Sequence, residues 1–132
     1  MPVIIADTDV CIELLRGNRR IIEKRQAYGD EIAVSFMTAA ELFYGAEKSQ
    51  KRQANCDLVE RFLLSVRVVH TSAGIARRFG QLKAHLSQAG IQLPDADMLI
   101  AATVLSVDAT LITGNVRHFQ RIAGLKIENW IS

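Results

Sequence analysis

Short apolar runs alternate with helical patterns along this chain, and no β-hairpin signal lies between neighbouring runs. Strands that are never joined by tight turns need crossover connections. The pattern therefore predicts a mainly parallel sheet of about five strands with helices on both faces, a three-layer α/β/α fold. Residues 3–6 form a continuous apolar run, as expected of a strand covered on both sides, and 10–15 continue as a helix that stops near Gly17. Further helices are expected over 19–28, 39–48 and 51–64, with strands over 32–34 and 66–69. Ile75, Phe79, Leu82 and Leu86 share one helical face and mark a long amphipathic helix that Gly90 ends. The segment 96–106 is apolar nearly all round, which predicts a central helix. Leu111-Ile112 and Lys126-Ile127 are the last strand candidates, with a short helix near 116–121 between them.

At 132 residues, 49% of them hydrophobic and only two of them proline, the chain is expected to form one compact domain over 1–132. Sixteen Lys and Arg against fourteen Asp and Glu leave a formal charge of +2, so overall charge does not announce a nucleic-acid binder. Basic clusters recur at Arg19-Arg20, Lys24-Arg25, Lys51-Arg52 and Arg77-Arg78, and solvated helix faces are their ordinary explanation. Cys11 and Cys56 lie in apolar helical patterns without metal-site spacing, which predicts free thiols in a reducing compartment and no zinc. The first residues lack the basic region of a signal peptide, and the longest apolar stretch, 98–105, is far too short to span a bilayer. A cytoplasmic protein with no membrane partner is the expectation.

Asp7, Glu41 and Asp97 are far apart in sequence, yet each sits where a strand gives way to a helix or near a helix start. In open parallel sheets, ligands collect beyond the carboxyl ends of the strands. Singly, each acid has an ordinary role. Asp7 or Asp9 could cap the first helix, Thr38-Ala39-Ala40-Glu41 fits a capping box, and Asp95 could cap a helix whose dipole favours Asp97. Together they conflict. A cap contributes about 1 kcal/mol, whereas two like charges about 4 Å apart repel by roughly 4 kcal/mol at an effective dielectric near 20. A divalent cation removes the conflict, and oxygen donors favour Mg²⁺ or Mn²⁺ over Zn²⁺. His70, His85 and His118 lie in separate segments without metal-ligand spacing and read as surface or packing residues. Mg²⁺ held by carboxylates commonly serves phosphate chemistry, so phosphate-ester cleavage is the leading reaction class.

Four stretches then resemble, in order and spacing, the PIN-domain ribonucleases of the VapC toxin type. They are Ala6-Asp7-Thr8-Asp9-Val10; Ala40-Glu41-Leu42-Phe43-Tyr44-Gly45; Asp95-Ala96-Asp97-Met98-Leu99-Ile100; and Leu111-Ile112-Thr113-Gly114-Asn115-Val116-Arg117-His118-Phe119. The closing segment 122–130 is similar to the family's final loop and strand. The resemblance implies a Mg²⁺-dependent endoribonuclease, with Mn²⁺ as substitute, that silences translation, is held inactive by a cognate VapB-like antitoxin and forms a homodimer. By position, Asp7, Glu41 and Asp97 match the acidic metal-site residues; Asp9 stands where the family often has Asn, and Asp95 is an extra acid. Asn115 falls where many members place a fourth acid, a departure that weakens the case for a second tightly bound metal. Thr113 is a candidate for orienting water or phosphate. Arg19, Arg20, Arg117 and Arg121 are candidates for binding flanking RNA phosphates.

Three rivals remain in view. Asp7-Thr8-Asp9-Val10 also matches the D-x-D-x-T/V opening of haloacid-dehalogenase-like phosphatases, with Asp7 as nucleophile and Asp9 as acid, but the later residues that chemistry needs occur in the wrong order. A signalling receiver domain would need an acceptor Asp after the third strand, where His70-Thr71-Ser72 supplies none. A catalytically inactive PIN-like interaction module is the third.

Overall fold

The computed structural model describes residues 3–29 and 31–132. Five three-residue strands, β1 (Ile4–Ala6), β2 (Ala33–Ser35), β3 (Arg67–Val69), β4 (Thr110–Ile112) and β5 (Lys126–Glu128), form one sheet in the order β3-β2-β1-β4-β5. Every pairing between neighbours is parallel. This agrees with the expected α/β class and strand number.

Seven helices make the crossovers: α1 (Thr8–Leu15), α2 (Arg19–Ala27), α3 (Phe36–Glu47), α4 (Arg52–Leu64), α5 (Ala73–Gln88), α6 (Asp95–Ser106) and α7 (Val116–Phe119). Side chains alternate across the central strand, as a pleated strand requires. Ile4 and Ala6 join a core with Val10, Leu42, Val59 and Phe62 from α1, α3 and α4, whereas Ile5 joins Leu86, Ile100, Val104 and Phe119 from α5, α6 and α7. The three-layer expectation holds. Helix α6 buries Met98, Ile100, Ala101, Ala102, Thr103 and Val104, which accounts for its nearly uniform apolarity.

Two local expectations fail. Helix α3 starts at Phe36, three residues earlier than expected, because Ser35 ends β2 and also caps the helix: its Oγ accepts the Thr38 N–H at 3.0 Å. Thr38 is therefore inside the helix, and the Thr38–Glu41 capping box does not form. Nor does Asp95 cap α6. Pro94 occupies the cap position, and Asp95 is exposed and ion-paired with Lys83 at 3.1 Å.

The chain runs outward from β1 to β2 and β3, then returns to lay β4 on the other side of β1. That reversal splays the connections leaving β1 and β4 and opens a crevice at their carboxyl ends. Asp7 follows β1 directly and Thr113 follows β4, with the Asp7 N–H donating to the Ile112 carbonyl at 2.8 Å.

Candidate active site

Asp7 is buried and caps α1, its Oδ1 accepting the Thr8 N–H at 2.8 Å and its Oδ2 accepting the Thr113 hydroxyl at 2.7 Å. Asp9, in the first turn of the helix, accepts the Val10 N–H at 2.7 Å and the Gly114 N–H at 2.9 Å. The latter contact needs glycine. A Cβ at Gly114 would sit 3.0 Å from Asp9 Oδ2 and 2.8 Å from Ile131 Cδ1.

Glu41 reaches the site from the second turn of α3. Its Oε1 accepts the Thr8 hydroxyl at 2.7 Å, and Thr8 lies 3.0 Å from the Thr38 hydroxyl, which is 3.3 Å from that of Ser35. A carboxylate only accepts, so Thr8 donates to Glu41, Thr38 to Thr8, and Ser35 to Thr38. Ser35 and Thr38 are fully buried, and the chain of hydroxyls gives each a partner. Asp97, in the first turn of α6, has His118 Nδ1 at 2.9 Å from its Oδ2.

Asp7 and Asp9 respond to burial and to neighbouring charge. Burial is the largest cause lifting Asp7 to a pKa of about 7, and the charges of Asp9 and Asp97 add to it against the opposing hydrogen bonds from Thr113 and Thr8. Asp9 is raised in the same direction, by burial first and then by Asp97. The sequence placed the charge conflict among Asp7, Glu41 and Asp97; in the structure the charges acting on Asp7 are those of Asp9 and Asp97. Even so, among the described residues no three His, Cys, Asp or Glu side chains converge as a ready metal-binding group. Of the expected trio, Glu41 has one oxygen engaged by Thr8, Asp97 has one facing His118, and Asp7 has its oxygens engaged by Thr8 and Thr113.

Asn115, expected near the acids, is there: its backbone N–H donates to Thr113 Oγ1 at 2.9 Å and its side-chain amide contacts His118 Nδ1 at 2.9 Å. Asp95, turned toward Lys83, does not join. Arg20, a phosphate-binding candidate, is used elsewhere, donating to the Trp130 carbonyl at 3.1 Å and to the Ile131 carbonyl. Arg19, Arg117 and Arg121 are exposed. Sequence reasoning missed Thr8, Thr38, Gly114 and His118. Only His118, three residues after Asn115 on a helix, carried a spacing that could have flagged it.

Fold and site together define a parallel α/β domain with an acidic pocket at its topological switch point. Residues 4–125 match the PIN domain family. Ribonuclease VapC2 of Haemophilus influenzae is 34% identical over 95% of this chain and 96% of its own, and the tRNA(fMet)-specific endonuclease VapC of Shigella flexneri is 32% identical over 94% and 95%. The crystal structure of DNA-bound VapBC from Salmonella typhimurium contains a chain that superposes with a TM-score of 0.93 at 32% identity, covering 99% of this chain and all of that one. The chain belongs to the PIN-domain family, in the group of the VapC ribonucleases.

Proposed function

We propose that this protein, a single nuclease domain over 1–132, is an endoribonuclease toxin that hydrolyses RNA phosphodiesters with Mg²⁺, Mn²⁺ substituting. We further infer that a VapB-like antitoxin restrains it. One observation carries the reading: where β1 and β4 part, Asp7 is raised by burial and by the charges of Asp9 and Asp97, and Asp9 by burial and by Asp97. Oxygen donors of this kind suit a hard cation, and Mg²⁺ needs only one or two carboxylates because it keeps much of its water.

Asp7 and Asp97 would hold the ion, directly or through water. Bound there, Mg²⁺ would activate water and neutralise charge developing on phosphoryl oxygens. Glu41, fixed at one oxygen by Thr8, positions the attacking water and takes its proton. In-line attack leaves a 5′-phosphate and a 3′-hydroxyl. Thr113 fixes Asp7, and the Asn115 backbone in turn fixes Thr113. The relative whose name specifies tRNA(fMet) makes that RNA the first substrate to test.

A groove of about 410 Å³ beside Glu41, lined by Ile12, Leu15, Leu42, Leu58 and Val59, is the surface we assign to the antitoxin, since a solved relative carries the name VapBC. No described helix is long and apolar enough to cross a membrane. The homodimer belongs to the same reading and is tested by sedimentation of the purified chain.

The deciding experiment is RNA cleavage by the purified protein with Mg²⁺ or Mn²⁺, with chelator, and as Asp97→Asn. Metal-dependent cleavage lost in the variant is expected; undiminished cleavage in chelator sinks the metal mechanism. Growth arrest on expression, relieved by Asp7→Asn or by co-expressed antitoxin, is the expected counterpart in cells.

A further inference from the structure

We propose that His118 is a positioning residue. Its ring N–H grips one oxygen of Asp97 and leaves the other for the ion, while the segment carrying it ties Asp97 to Asp7. The proposal rests on the metal-dependent reading above. His118 Nδ1 is 2.9 Å from Asp97 Oδ2, and among the described residues no other donor reaches Asp97. Because a carboxylate only accepts, the proton lies on Nδ1. That is true of both the neutral Nδ1–H tautomer and the imidazolium, so the contact does not depend on whether the ring is charged.

The ring is itself held. The Asn115 side-chain amide nitrogen lies 2.9 Å from the same ring nitrogen and packs against it; the single Nδ1 proton goes to Asp97. The Asn115 backbone N–H donates to Thr113 Oγ1 at 2.9 Å, and Thr113 donates to Asp7 Oδ2 at 2.7 Å. A continuous series of contacts therefore runs Asp97, His118, Asn115, Thr113, Asp7, joining the two carboxylates assigned to the ion. Phe119, next to His118, is fully buried and anchors α7. An ordinary exposed ion pair would contribute little. Here the Asp97 side chain is only 18% exposed and the imidazole 41%, so the carboxylate is sheltered and its donor sits on a helix anchored by Phe119.

Three substitutions separate this role from mere space filling. His118→Asn keeps an amide N–H near the Nδ1 position, His118→Gln moves it toward Nε2, and His118→Ala removes it. Each purified full-length variant is titrated with Mn²⁺ alone, without RNA, by electron paramagnetic resonance, with thermal melts to verify folding. Outer partners of metal ligands typically change affinity 10- to 100-fold, so Ala and Gln are expected to weaken Mn²⁺ binding by about tenfold or more and Asn to stay within about threefold. In cleavage assays, kcat falls in Ala and Gln while KM for RNA holds. Equal Mn²⁺ affinity in all three variants, or Asn falling as far as Ala, overturns the proposal alone. A wild-type chain that binds no Mn²⁺ overturns the metal reading and this proposal with it.

Discussion

Thr8 connects two elements through one hydroxyl, accepting from the buried Thr38 and donating to Glu41 at 2.7 Å. Thr8→Val keeps the shape and removes the link, leaving the Thr38 hydroxyl without its acceptor. The expected loss of stability is about 1–3 kcal/mol in urea melts, with Thr8→Ser close to wild type. Single-turnover cleavage by the Val variant should fall on the order of tenfold, as for other groups that orient a site residue; unchanged cleavage would remove Glu41's anchoring from the mechanism. Gly114→Ala is a harsher change, because the new Cβ meets Asp9 at 3.0 Å and Ile131 at 2.8 Å. Overpacking of this kind costs about 1–3 kcal/mol. At this scale the acids were legible from sequence and their partners were not. Asp7 and Asp97 announce themselves by charge at element ends, whereas Glu41 lies within α3 and only its expected helix start put it at one. Thr8 and Thr38 are 30 residues apart, and Asp9 and Gly114 are 105 apart, so only the adjacency of β1 with β2 and β4 makes them neighbours.

Helices were readable wherever apolar periodicity ran for several turns. The Ile75, Phe79, Leu82, Leu86 face marked α5, and the uniform apolarity of 96–106 marked a central helix. The start of α3 was hidden because one residue, Ser35, serves both as strand end and as cap, which no local pattern separates. Strand pairing was legible as parallel, but the order β3-β2-β1-β4-β5 was not, since the crossovers read alike whichever side of β1 they return to. Two predictions belong here. Ile100 is completely buried in α6, and Ile100→Ala should cost about 2–5 kcal/mol by chemical denaturation. Leu58, 37% exposed on α4 in the groove, should tolerate Leu58→Glu with little change in melting temperature or RNA cleavage. Co-expressed antitoxin should then fail to restore growth, and full rescue of this variant would place the antitoxin elsewhere.

The whole molecule carries the cost of its acidic crevice as a pH dependence. Asp7 has an ordinary pKa of 3.8 when unfolded and about 7 when folded, so folding binds a proton between those values. That contribution to stability is complete below pH 4 and is lost as pH rises through 7, with a span of up to roughly 4 kcal/mol. Without metal, Asp7→Asn should match wild type near pH 4 and become the more stable of the two toward pH 8, and added Mn²⁺ should narrow that gap. Calorimetry at several pH values, with and without Mn²⁺, checks this; a pH-independent gap removes the linkage. The far end of the chain also bears on the crevice. Arg20 clasps the Trp130 and Ile131 carbonyls, Trp130 packs on Tyr28, and Ile131 presses against Gly114, which holds Asp9. Trp130 and Ile131 therefore act as a strap from α2 to the loop that follows β4, and Arg20→Ala, which releases that strap, is expected to lower RNA cleavage although Arg20 touches none of the acids.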